Sequence, residues 1–255
     1  MEIKKAAKIA ALLSVSVFLF FIPPFSFPFL DDKGSSYVEN TLKKLTITYT
    51  AVRGLNAGIS VIKESEIDLS PGGVGATIAA GEVLDPLDDL VERFSSVLLF
   101  SIISVGVQKL LMLVSINLFF KLLSISLLLF AVYTAVKKDF FLHTGIKIAI
   151  IAFVLRIFVP FTGVVNDYVY GEFFKENVEK AKKQITYITE LIKTSENSFS
   201  VSEIRQKIQK LKDYSSKTID SILILVTAFI IQTVIIPLIT GYAVLKIVKR
   251  SIGYF

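Results

Sequence analysis

The sequence predicts a mostly α-helical, polytopic membrane protein with about four transmembrane helices. The segment Ser221–Leu245 has 25 residues and no charge. As a helix rising about 1.5 Å per residue, it exceeds the roughly 30 Å hydrocarbon core of a bilayer. Hydrophobic residues make up 53% of the chain, and the mean hydropathy of +0.65 is above the range of soluble proteins. A buried core helix is the alternative, but 255 residues offer too little protein to cover several such segments.

The first predicted element is a signal anchor over residues 1–30. Three lysines among the first eight residues precede the apolar run Ile9–Ile22. A cleaved signal peptide begins in a similar way, but this run lacks an A-x-A cleavage pattern and apolar residues continue to Leu30. We therefore expect an uncleaved first membrane helix, which delivers the following segment outside the cytoplasm.

Residues 31–93 are expected outside the cytoplasm, as an amphipathic helix followed by a small β-like segment. In Ser35–Gly58, apolar residues recur at spacings of three and four, which predicts a helix that packs one face against protein. These residues are Val38, Leu42, Leu45, Tyr49, Val52 and Leu55. Ile59–Val83 has a short apolar–polar alternation and the turn sequence Pro71-Gly72-Gly73, which favours a β-hairpin. A phosphate-binding loop is the alternative, but no P-loop motif is present.

A long apolar stretch follows the helix start at Asp85-Pro86, where aspartate suits the cap and proline the first helical position. Phe94–Val136 has 43 residues, and its only charges are Lys109 and Lys121. As a helix it would measure about 65 Å, enough for two crossings or for one crossing and an interfacial segment.

We divide this stretch into an interfacial or re-entrant helix, residues 94–115, and a second transmembrane helix, residues 116–138. The first part is mildly amphipathic because four polar residues share one helical face. They are Ser101, Ser104, Gln108 and Ser115. Lys121 is expected near the outer headgroups, which a lysine side chain can reach.

Residues 140–163 and 219–250 are the third and fourth predicted transmembrane helices, and residues 164–218 between them predict an antiparallel helical hairpin. Val178, Ala181, Ile185, Ile188 and Ile192 form a narrow apolar seam in its first arm, and Ile204, Ile208 and Leu211 form one in its second. A solvated pair of helices that packs on another chain is the alternative. Because the two arms differ in length, a kink or interfacial turn is expected within Phe161–Gly171.

Basic residues favour a topology with four crossings. The amino terminus, Lys137-Lys138 and the C-terminal cluster after Leu245 then lie on the cytoplasmic side. Five crossings are the alternative. In the four-crossing topology the hairpin is extracytoplasmic, and the composition fits a bacterial-type inner or plasma membrane.

Six residues are polar or helix-breaking where they lie within or next to membrane segments: Arg156, Gln232, Lys121, Pro160, Pro237 and Asp220. Arg156 is expected to be a structural anchor that snorkels to the outer surface or pairs with Asp220 or Asp167. An ion or substrate path and a contact with a partner are the alternatives. Gln232 is expected to form an interhelical hydrogen bond. Pro237 should kink its helix, with a neighbouring helix supplying a donor to the freed carbonyl.

No motif predicts catalysis, a cofactor or a metal site. The chain has no Cys, and it contains no H-E-x-x-H, G-x-S-x-G or P-loop sequence. The net charge of +6 indicates attraction to anionic lipid, and nucleic-acid binding is disfavoured because acids interrupt the lysines. The sequence favours a non-enzymatic scaffold or interaction subunit that binds lipid and a protein partner, or a second copy through the hairpin. A small oligomeric channel or transporter is the main alternative, and an envelope sensor is a third.

Overall fold

The structure is a computed structural model that describes residues 2–68, 74–193 and 217–253, and these residues are helical almost throughout. The helices are α1 (Glu2–Phe21), α2 (Pro28–Asp68), α3 (Val74–Val136), α4 (Asp139–Val169), α5 (Lys175–Lys193), α6 (217–230) and α7 (Ile236–Gly253). Two π-helical segments, Tyr170–Phe174 and Ile231–Ile235, join α4 to α5 and α6 to α7. Within these described residues, three helical stretches are long and apolar enough to cross a membrane, namely Asp85–Val136, Asp139–Glu190 and Lys217–Arg250.

The β-like segment is a wrong prediction over the residues that the structure describes. Ile59 to Asp68 belongs to α2 and Val74 to Val83 belongs to α3, while the Pro71-Gly72-Gly73 turn lies outside the described residues. Ile59 is fully buried, four residues beyond the buried Leu55. It therefore continues the helical stripe of α2, and that longer 3–4 periodicity outweighs a brief alternation.

The helix α3 also differs from its prediction. It begins at Val74 rather than at Asp85, so Pro86 lies inside it. It shows no boundary near residue 115, so residues 94–115 and 116–136 belong to one continuous helix and not to two. The interfacial position of residues 94–115 and the number of crossings stay predictions. The polar face is confirmed, because Ser101, Gln108 and Ser115 are buried.

The hairpin is described only in its first arm. The chain remains helical from α4 through the π segment into α5, so Phe161–Gly171 contains no interfacial turn, and the kink that was the other expectation there stays a prediction. Between α4 and α5 the α-helical geometry is interrupted only by the π segment, which begins at Tyr170. The seam residues Val178, Ala181, Ile185 and Ile188 are all buried. The tip and the second arm, with Ile204, Ile208 and Leu211, lie outside the described residues.

The chain divides into two compact units. Unit 1 comprises Met1–Glu39, Gly106–Asp167 and Ile236–Phe255, and unit 2 comprises Asn40–Val105 and Tyr168–Ile235. In unit 2, side chains from α2, α3, α5 and α6 form an apolar core. Its members include Leu45, Val52, Leu55, Leu87, Phe94, Leu98, Ile185, Ile188, Ile222 and Leu225.

In unit 1, α1 and α4 both run antiparallel to α3. The Ser16 hydroxyl donates to the Ser124 carbonyl at 2.8 Å, and the Lys5 ammonium donates to the Ala135 carbonyl at 3.2 Å, so α1 is antiparallel to α3. The Ser126 hydroxyl donates to the Gly145 carbonyl at 2.8 Å, which joins α3 to α4.

The position of α7 along the axis of α4 differs from the position that the predicted topology requires. The hydroxyls of Thr162 and Thr240 lie 2.9 Å apart. Arg250 lies ten residues past Thr240, about 15 Å along α7, whereas Asp139 lies 23 residues from Thr162, about 35 Å along α4. The C-terminal basic cluster therefore lies about 20 Å from the level at which α4 begins, and the charge-based topology had placed both at one surface.

Candidate functional site

A buried ion pair joins α2 to α4 in unit 1. Both terminal nitrogens of Arg156 donate to the carboxylate of Asp31, and the two residues are 2% and 4% exposed. The same carboxylate accepts the Ser26 hydroxyl at 3.0 Å and the Phe27 backbone N–H at 2.6 Å. Since Phe27 immediately precedes α2, Asp31 also satisfies a donor at the start of that helix.

The surroundings of this pair are aromatic. The guanidinium carbon of Arg156 lies 5.3 Å from the centre of the Phe27 ring, within the range of a cation–π contact. Phe27 packs against Phe119 and Phe120, and Phe119 packs against Phe153. The positive charge is therefore paired and shielded within the protein, as the anchor interpretation expects.

The partner of Arg156 differs from the prediction. Asp167 and Asp220 are both exposed, and the pair is made with Asp31 instead. The sequence analysis placed Asp31 at the start of the extracytoplasmic segment 31–93, although it follows an apolar run directly. An acidic residue directly after an apolar run could have suggested a buried ion pair. The sequence alone does not indicate that its partner is Arg156, 125 residues away.

Two glycines allow close helix contact beside the ion pair. A Cβ at Gly34 would lie 3.0 Å from the Met112 sulfur and 3.2 Å from Cγ of Pro160. A Cβ at Gly163 would lie 2.9 Å from Cβ of Tyr37. Small residues at such positions let helix backbones approach, which is the main source of packing energy between membrane helices. Pro160 and Gly163 therefore belong to a packing contact of α4, not to a break.

A polar chain links three helices about two to three turns beyond the ion pair. The Tyr37 hydroxyl donates to the Gln108 side-chain oxygen, and the Asn166 amide donates to the Tyr37 oxygen, both at 3.1 Å. All three residues are less than 5% exposed. Sequence reasoning noted Gln108 but missed Tyr37 and Asn166, because their contact depends on the packing of α2 against α4.

A neighbouring helix bonds the carbonyl that Pro237 of α7 leaves without its usual donor, and the kink expected at this proline stays a prediction. Proline has no N–H for the carbonyl four residues earlier, which is that of Thr233. The Ser104 hydroxyl of α3 donates to this carbonyl at 2.6 Å. Gln232 beside it is 4% exposed and lies in the π segment. Local π geometry near a proline is a usual accommodation in membrane helices.

The remaining predicted residues lie on surfaces. Lys121 is exposed on α3, and Asp220 is exposed on α6. Neither joins the buried polar contacts of Arg156 or Gln232 that the structure describes. The six residues selected from sequence therefore do not form one site.

A basic crevice of about 250 Å³ lies between α2 and α5 in unit 2. Its lining includes Lys43, Lys44 and Lys182 around the apolar Ile185 and Leu225. The Lys44 ammonium lies 4.1 Å from the centre of the Tyr170 ring, and the Lys182 ammonium lies 3.8 Å from the Glu179 carboxylate. The lining residues contain no acid–base pair suited to catalysis, and the described part of the chain holds no cluster of three or more metal-ligating acids or histidines.

Comparison of this chain with protein-family models, with curated proteins and with solved structures gives no match. Its function is therefore argued from the contacts above.

Proposed function

We propose that the protein is a non-enzymatic integral membrane protein that acts as a scaffold or interaction subunit of an envelope assembly. In this proposal α1 and the three long apolar helices make four crossings of a bacterial-type inner membrane. The predicted hairpin, residues 164–218, is extracytoplasmic. The three apolar stretches support membrane integration, and the charges of α5 support a position of that arm outside the hydrocarbon core.

The Arg156–Asp31 pair is the observation that carries the proposal. An arginine that lines a transport path needs a surface open to solute, whereas this one is 2% exposed and donates to both oxygens of a buried carboxylate. Its neighbours are glycine contacts and aromatic rings, which fix the spacing of α2 and α4. Rigid support of this kind suits a protein that holds a surface in place for a partner.

The surface for a protein partner needs revision. The hairpin seam was expected to bind a partner or a second copy, but its described residues are buried within unit 2. A partner must therefore bind another face of the protein. Membrane lipid remains a proposed partner through the basic residues near the ends of the apolar segments.

Flux and stability measurements on Arg156→Ala test the proposal in reconstituted vesicles. We expect a lower unfolding midpoint and unchanged ion or solute flux, because the side chain serves packing. A flux that changes in Arg156→Ala and not in the equally buried packing variant Gly163→Ala would favour the channel or transporter. Co-purification after mild detergent extraction should recover a partner or a second copy, and a lone monomer would contradict the scaffold role.

A further inference from the structure

The basic crevice of unit 2 has a positive lining. Lys43 and Lys44 reach it from α2, and Lys182 reaches it from α5. None of the ten described residues that line it is acidic. Three like charges around a space of about 250 Å³ repel one another, and an anion bound among them would replace that repulsion with attraction. The crevice is therefore suited to a negatively charged group.

The contacts of two of these lysines hold them beside the crevice. The Lys44 ammonium lies over the Tyr170 ring, in a cation–π contact that adds no negative charge. The Lys182 ammonium lies 3.8 Å from the Glu179 carboxylate, near the outer limit of an ion pair, and the Glu179 side chain is 54% exposed. An exposed pair at this distance contributes little to stability, so Lys182 can turn towards a ligand at small cost.

The innermost part of the crevice is apolar. Ile185 of α5 and Leu225 of α6 line it and are 2% and 0% exposed, while Ile47 of α2 lines it and is 60% exposed. A bare inorganic anion gains nothing from such a surface, whereas a hydrocarbon chain is stabilised by the apolar area that it buries. Lysines beside an apolar floor therefore favour an amphiphile with an anionic headgroup.

Volume and position indicate which part of an amphiphile the crevice holds. A space of about 250 Å³ is smaller than the roughly 300–1,000 Å³ of a pocket that encloses a whole drug-sized ligand. It suits a headgroup and the start of a chain, with the rest of the chain outside. Leu225 lies four residues into the uncharged segment Ser221–Leu245, about 6 Å along its helix. Lipid headgroups lie at such a boundary between charged and apolar sequence.

We infer that the basic crevice binds the phosphate headgroup of an anionic phospholipid. In this arrangement Lys43 and Lys182 contact the phosphate from α2 and α5, and the acyl chain begins against the apolar floor. Asn40 and Thr186 also line the crevice and can donate hydrogen bonds to the phosphate oxygens. The inference rests on the membrane position in the proposed function, and it adds a specific lipid as a partner. A lipid bound there joins α2 to α5 and stabilises the folded protein.

Native mass spectrometry of the full chain in a neutral detergent tests the inference, because it counts the lipids that stay bound. The protein should retain one molecule of phosphatidylglycerol. It should bind this lipid at least about tenfold more tightly than phosphatidylcholine, whose phosphate is offset by a cationic group. Phosphatidylglycerol should also raise the unfolding midpoint, and added salt should weaken its binding, since the headgroup contact is electrostatic.

Paired lysine variants place the binding in the crevice. Lys43→Gln/Lys182→Gln should bind phosphatidylglycerol about thirtyfold more weakly, because each lysine near an anionic headgroup contributes a factor of about five. Lys180→Gln/Lys183→Gln is the matched control, since it removes the same charge from α5 and neither residue lines the crevice. It should change the affinity by less than about threefold. Lys43→Arg/Lys182→Arg keeps the charge and should keep the binding.

Three results would overturn the inference and leave the proposed function in place. Equal weakening in the two glutamine variants would mean that net charge, and not the crevice, sets the affinity. Equal binding of the two lipids would mean that the site does not select an anion. Glycerol phosphate that binds as tightly as phosphatidylglycerol would mean that the site takes a free phosphate ester.

Extraction of membranes with alkaline carbonate separates these failures from a failure of the proposed function. A protein that carbonate releases is not integral to the membrane, and that result would remove the proposed function and the inference together. The unfolding midpoints of the glutamine variants without lipid should equal that of the natural chain, which shows that weaker binding does not come from misfolding.

Discussion

Two ion pairs on α2 show how the setting of a charge decides its role. Asp31, near the start of α2, pairs with Arg156 in the interior of unit 1, where both residues are less than 5% exposed. Lys63, near the end of α2, pairs with Asp85 at 2.6 Å and Asp88 at 3.0 Å in unit 2, where the side chains are 29% to 63% exposed. The first pair has lost its water and depends on its partner, whereas the second is still solvated.

The largest expected effect comes from breaking the buried pair. Arg156→Met leaves the Asp31 carboxylate inside the protein without its cation, and we expect a loss of about 3–5 kcal/mol of unfolding free energy. Chemical unfolding in detergent measures this loss. Arg93→Met is the matched control, since Arg93 pairs with Asp89 at 3.2 Å on an exposed surface. It should change stability by less than about 0.5 kcal/mol.

The double variant Asp31→Leu/Arg156→Met sharpens this result. Removal of both charges leaves no unpaired ion, so the double variant should be more stable than Arg156→Met alone. If the losses of unfolding free energy in Asp31→Leu and Arg156→Met simply add in the double variant, the two residues are not coupled, which would contradict the ion pair between α2 and α4.

The same contrast explains what sequence could predict. The stripe of α2 and the polar face of α3 were found because a 3.6-residue period is written in consecutive residues. Val52 and Leu55 of the stripe and Ser101 of the polar face are indeed buried. The partner of Arg156 was missed because its contact joins residues 125 positions apart, and nothing local selects Asp31 over Asp167. The prediction for Ile59–Val83 was wrong over its described residues because it relied on a short apolar–polar alternation. It did not consider that the helical periodicity of α2 continues into this segment.

A hydrogen bond at the edge of the core should have an intermediate effect. Ser104→Ala removes the donor to the Thr233 carbonyl, and we expect a loss of about 1 kcal/mol. In a Pro237→Ala background, the new backbone N–H at position 237 can donate to the same carbonyl. The cost of Ser104→Ala should then fall by at least half. An unchanged cost in that background, measured by the same unfolding assay, would show that Ser104 does not compensate for the proline.

The solvated pair should have the smallest effect, and its dependence on pH identifies it. Hydrogen bonds to Asp85 and Asp88 raise the pKa of Lys63 above its usual value of 10.5. The folded protein therefore holds this proton more tightly than the unfolded chain, so the pair stabilises below about pH 10.5 and this contribution disappears as pH rises through the pKa of the folded state. At pH 8 we expect Lys63→Met to cost about 0.2–1 kcal/mol in unfolding free energy. At higher pH the difference between the two proteins should shrink towards zero. Lys180→Met is the control, because Lys180 pairs with Glu176 within one helix and its loss breaks no contact between helices. A difference for Lys63→Met that stays constant with pH would mean that the lysine stem packs against its neighbours, and that the ion pair itself contributes little.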